Sequence, residues 1–145
     1  MKRIAISIAL LMTFASCQPT EVESLQDIDQ LVVELGKPDL DRNQFTFRIT
    51  TNRSYGCDSF LTGRLVRGKV FLAMEVFGVV PGRPGCINQT AGYLSETVRM
   101  GNQRTFRLEL RYNKTSDLFE LRETGGEWEI NRLRNELGSA IRVLD

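Results

Sequence analysis

Residues 105–112 read TFRLELRY, with Phe106, Leu108 and Leu110 at every second position and Arg107, Glu109 and Arg111 between them. Only an extended chain sends alternate side chains to opposite faces, so this stretch predicts a strand with one buried and one wet face. The same period runs through most of the chain. Phe45, Phe47 and Ile49 alternate with Thr46, Arg48 and Thr50, while Phe60 to Val66 and Lys69 to Phe77 flank Arg67-Gly68 as the arms of a hairpin. The arm VFLAMEVF is apolar on both sides apart from Glu75, which predicts a central strand. Leu94, Val98 and Met100 lie on a further strand, and Leu118 to Glu123 and Trp128 to Ile130 supply two more. Gly101-Asn102, NKTSD and Gly125-Gly126 mark the turns between them. Leu31 to Leu35 reads as a first strand, ended by GKPD.

Seven to eight short strands with turns at regular intervals predict an all-β fold, an antiparallel sandwich or a small barrel. A parallel α/β fold is excluded because no segment of helical period lies between the strands. The C-terminal end breaks the rule: Ile130, Leu133, Leu137, Ile141 and Leu144 recur at three- and four-residue steps. That spacing predicts a short C-terminal helix, with a last strand at AIRVLD as the alternative.

At the other end, Lys2 and Arg3 precede Ile4 to Phe14, an apolar run of eleven residues. Such a run has the length of a signal-peptide core and is too short to span a bilayer. Phe14-Ala15-Ser16-Cys17 resembles the lipobox of bacterial lipoproteins, with Phe14 where that family prefers leucine. The resemblance implies that Cys17 is lipidated and becomes the first mature residue, anchoring the protein to the cell envelope through several acyl chains. Gln18 after the cysteine resembles an outer-membrane address rather than an inner-membrane one. The expected organisation is a signal peptide over 1–16, a lipidated cysteine and polar tether over 17–29, and a β-sandwich domain over 30–145. An ordinary secretory leader is the alternative.

Histidine is absent from the 145 residues, which removes the Ser-His-Asp triad, the Cys-His pair and the usual zinc and copper sites. Beyond Cys17 the only cysteines are Cys57 and Cys86, and an even pair in an oxidising compartment reads as a disulfide. The order YGCDSF, VVPGRPGC, then LSETVRMGNQRTFRLELRYNKTSDLFELRE resembles immunoglobulin-like sandwich domains of bacterial surface lipoproteins. Trp128 follows both cysteines, whereas antibody domains place their tryptophan between them.

The strongest functional expectation falls on GVVPGRPGCINQTAGY, residues 78–93, which carries no strand pattern and is long for a connection in a compact β domain. Two Pro-Gly steps stiffen it, Cys86 pins it, and Arg83 stands between them as the candidate binding residue. A plain crossover between sheets is the competing reading. Asp39, Asp41 and Asn43 in DLDRN have the alternate-oxygen spacing of a calcium loop but lack its glycine and terminal glutamate, so a turn accounts for them. Asn52-Arg53-Ser54, Asn88-Gln89-Thr90 and Asn113-Lys114-Thr115 match the N-glycosylation acceptor and fall where turns are expected.

Charge is unevenly spread: residues 42–115 carry +8, flanked by −6 over 18–41 and −3 over 116–145. Basic residues placed singly at alternate positions predict wet strand faces rather than a nucleic-acid patch. The sequence thus predicts a membrane-anchored envelope lipoprotein, non-catalytic and without metal or cofactor, that binds an envelope protein or glycan. The alternative is an inhibitor of a hydrolase acting through the 78–93 loop, and a hydrolase comes third.

Overall fold

The computed structural model describes residues 22–25, 30–82 and 90–144. Among them are nine strands and no helix: β1 (Leu31–Gly36), β2 (Gln44–Tyr55), β3 (Phe60–Arg67), β4 (Phe71–Val80), β5 (Thr90–Arg99), β6 (Thr105–Tyr112), β7 (Thr115–Thr124), β8 (Glu127–Asn135) and β9 (Ala140–Leu144). They form a four-stranded sheet, β5-β2-β1-β9, and a five-stranded sheet, β3-β4-β6-β7-β8. The two sheets pack face to face around one core.

The alternation that announced the strands decides what the core contains. Phe45, Phe47 and Ile49 of β2 and Val33 and Leu35 of β1 point inward from one sheet; Leu72 and Met74 of β4, Leu108 and Leu110 of β6, and Phe119 and Leu121 of β7 meet them from the other. Phe45 bridges the layers, with its ring 5.4 Å from that of Phe106 and 4.9 Å from that of Trp128. The Trp128 indole N–H donates to the Gly36 carbonyl at 2.9 Å, so the largest side chain of β8 is satisfied across the interface.

Both sheets are mixed. β1 lies parallel to β9, and β4 parallel to β6, because the chain leaves β4, crosses to the other sheet as β5 and returns. Immunoglobulin domains pack two antiparallel sheets, so the likeness stops at two packed sheets.

Three expectations need correction. Nine strands are present, not seven to eight, and the C-terminal helix is absent. In its place β8 runs on to Asn135 and β9 follows. A bulge explains the misleading spacing: Leu118 pairs with Arg134 while Phe119 pairs with Arg132, which leaves Leu133 as an extra residue and converts a two-residue step into three. Leu133 is accordingly exposed. The pattern-free segment is also shorter than 78–93, since β4 continues to Val80 and β5 begins at Thr90.

The strand ends define two poles. At one, β3 turns into β4 at Arg67-Gly68, β5 ends at Arg99 and β2 begins at Gln44, with Arg67 paired to Leu72 and Gln44 to Arg99. At the other, the β2–β3 turn meets the end of β4 and the start of β5. Residues 22–25 also dock at this second pole. Past Val76, β4 has no partner from β6, and Glu23 takes the place with two hydrogen bonds to Val79 of 2.8 and 2.9 Å. Leu25 is buried, and its N–H donates to the Tyr112 hydroxyl at 2.7 Å. A side chain on Gly78 would overlap the Glu23 carbonyl, so this approach requires glycine.

Candidate functional site

Cys17, Arg83 and Cys86 lie outside the described residues, as do Asn88 and residues 26–29 of the expected tether. Cys57 is half-buried in the β2–β3 turn. Both ends of the 83–89 stretch converge on that turn: Thr90 pairs with Tyr55, and Gly82 lies so close to Cys57 that a Cβ would overlap its carbonyl. A chain leaving Gly82 and returning at Thr90 begins and ends beside Cys57.

The other residues singled out in the sequence have structural places. Asp39 and Gln44 bridge across the DLDRN turn, where the Arg42 N–H donates to the Asp39 carboxylate at 2.9 Å. Asn52 belongs to β2 rather than to a turn, and its side-chain oxygen accepts from the Gln30 N–H at 2.8 Å. Asn113 does sit in the β6–β7 turn, with φ of 54°. Glu75 stands on the wet face of β4 and pairs with its cross-strand neighbour Arg64 at 2.6 Å.

Most of the basic middle segment is engaged in such pairs. Arg104 binds Glu123 at 3.2 Å, Arg111 binds Glu109, and Arg48 joins Arg142 on either side of Glu34. Glu34, though on the outer face of β1, is only 1% exposed because the two guanidinium groups cover it. Burial pushes its carboxyl up, but the hydrogen bonds from Arg48 and Arg142 and their charges outweigh this and hold it below its ordinary value. Asp117, fully buried, accepts from the Ser139 hydroxyl at 2.5 Å and from the N–H groups of Ser139 at 2.7 Å and Leu137 at 2.8 Å. Burial would raise its carboxyl too; those donors, the Ser139 hydroxyl first, bring it below the ordinary value. Both carboxylates are saturated by their partners and serve structure.

The site that remains is at the pole opposite Cys57. A cleft of about 420 Å³ opens between the ends of the two sheets, lined by Gln44, Thr97 and Arg99 from one and by Arg67, Gly68 and Lys69 from the β3–β4 hairpin of the other. Leu72, Val98 and Phe106, all but buried, form its floor. Three cations and no acid line it. Arg67 is steadied by Glu96 at 2.7 Å; Lys69 and Arg99 have no ion-pair partner among the described residues. The walls are fixed by backbone contacts: Gly68 N–H to Phe71 O at 2.7 Å, Arg107 N–H to Val70 O at 2.8 Å, and Met100 N–H to Asn43 O at 2.8 Å.

No family model matches this chain, and neither does any curated protein or solved structure. The site must therefore be read from its own chemistry. Such a cleft can hold an anion in a fixed place through its three cationic side chains. The sequence marks Arg67-Gly68 as a turn but carries no sign of the cleft, because Arg99 reaches it from the other sheet.

Proposed function

We propose that this protein is a lipid-anchored component of the bacterial cell envelope whose single β-sandwich binds a partner without catalysis. The observation that carries this is the ordered leader: a basic start, an apolar core of signal-peptide length, Ala15-Ser16-Cys17, and a polar tail that meets the domain at Val22. A lipid on Cys17 enters at the pole where residues 22–25 lie on β4, and the cationic cleft then faces away from the membrane. Its likeness to immunoglobulin-like domains is limited to two packed sheets, to which the proposal adds a cysteine pair as a staple. The convergence of Gly82 and Thr90 on the β2–β3 turn supports Cys57–Cys86 as that staple. Its loop of about thirty residues contributes ~3.5 kcal/mol through the entropy of the unfolded chain.

Cys17→Ser tests the anchor. An unprocessed precursor in the membrane fraction is the expected result; normal cleavage and release of soluble protein overturns the reading. Arg83 and its loop keep a second reading open, inhibition of an envelope hydrolase, and this too is binding without turnover. Affinity purification from solubilised envelope with wild type and Arg83→Ala separates the two, because an inhibitor would recover a hydrolase and lose it in the variant.

A further inference from the structure

We infer that the cleft between the β3–β4 hairpin and the end of β5 is a binding site for an acidic saccharide unit, a sugar carrying a carboxylate or phosphate. This deepens the binding role proposed above and rests on it. Three features of the cleft, taken together, select that ligand class.

Charge comes first. Arg67, Lys69 and Arg99 converge from both sheets with no acid among the lining residues. Arg48, Arg64, Arg104 and Arg111, which belong to the same basic segment, each have a carboxylate partner elsewhere on the surface. Lys69 and Arg99 do not, among the described residues. Two cations left unmatched beside one another repel, so an anion between them relieves that repulsion and adds charge-assisted hydrogen bonds.

Size and polarity come next. A cleft of about 420 Å³ is far larger than a bare phosphate or sulfate needs and falls within the ~300–1,000 Å³ of ordinary small-molecule sites. Gln44 and Thr97 on the walls bring an amide and a hydroxyl able to exchange hydrogen bonds with sugar hydroxyls. Leu72 and Phe106 close the floor from the core and are almost fully buried, so a sugar is recognised through the hydrogen-bonding groups of the walls.

Preorganisation comes third. Glu96 pairs with Arg67, and the hydrogen bonds that close the Gly68–Phe71 turn and join Met100 to Asn43 across the ends of β5 and β2 fix the backbone of the walls before any ligand arrives. The backbone of the walls then needs little ordering on binding, and the cost falls on the exposed Lys69 and Arg99 side chains.

The test is isothermal titration calorimetry at low salt on the full mature protein in detergent, with glucuronate, glucose 1-phosphate, methyl glucoside and inorganic phosphate as probes. Saturable one-site binding of at least one acidic sugar is expected, and which one binds names the acid. Methyl glucoside and inorganic phosphate should each bind about tenfold more weakly. Lys69→Gln and Arg99→Gln should each weaken the acidic sugar about tenfold, the loss of one charge-assisted hydrogen bond, while Lys69→Arg retains most of the affinity. Both side chains are exposed, so melting curves of the variants should overlay wild type. Absence of saturable binding by both acidic sugars, unchanged affinity in both Gln variants, or inorganic phosphate binding as tightly as the sugars each overturns the inference. A failed titration leaves the Cys17→Ser result standing, and a released Cys17→Ser protein leaves the titration standing.

Discussion

On one side of the sandwich, β8 of the five-stranded sheet passes through residues 136–139 directly into β9 of the four-stranded sheet; on the other, β3 and β5 face each other as separate lengths of chain. The first side is sealed by buried carboxylates. Asp117 gathers the backbone of the corner through Leu137 and Ser139, and Glu34 ties β9 to β1 through Arg142. The second is sealed by Leu65 and Leu94, half-buried against the core, and by the Arg67–Glu96 pair, whose side chains are 48% and 35% exposed. A tight corner has backbone donors that water cannot reach and therefore needs an internal acceptor. An open seam between strands needs only packing, so it can part at its end into a cleft.

Asp117→Ala should break the comparison most visibly. It strands two backbone N–H groups and a hydroxyl in the interior, and a loss of about 3 kcal/mol in chemical denaturation is expected. Glu34→Ala should cost about 2 kcal/mol, less because Arg48 and Arg142 are half-exposed and can turn to solvent. A loss below ~0.5 kcal/mol for either would mean that the corner is held by something else.

Acid should attack the same side. The folded pKa values of Glu34 and Asp117 lie below the ordinary 4.5 and 3.8, so their contribution is complete above those values and disappears as the pH falls through the lower, folded ones. Melting temperature should hold from pH 7 to about 5 and fall below it, with a shallower fall in Glu34→Gln. Equal slopes in the variant and wild type would remove Glu34 from the account. The smallest effect is expected at the open seam: Glu96→Gln should cost at most ~0.5 kcal/mol, as exposed pairs usually do. A cost above ~2 kcal/mol would make the two sides alike.

The strand content was legible because period two is a local property, visible within TFRLELRY or QFTFRIT without knowing the partner strand. Leu133 shows where locality ends: a single bulged residue shifted the phase of β8 and imitated a helix. Residues 140–144 pair with 32–36, more than a hundred positions away, and no local pattern reports such a partner. The same limit hid the cleft, since Lys69 and Arg99 are thirty residues apart and come from different sheets. Glu75 was visible as an acid in an apolar strand, and it pairs with Arg64, its hairpin neighbour, on the outer face of β4.

The two hydrogen bonds between Glu23 and Val79 set the length of a leash. With Cys17 lipidated, the span from the anchor to the first docked residue, Val22, is five residues and at most ~18 Å. Were 22–25 undocked, it would run to Gln30, thirteen residues and ~45 Å. Under the proposed anchoring, docking this one short segment would more than halve the leash, so the second pole would stay close to the membrane while the cleft would be held a domain's length beyond it.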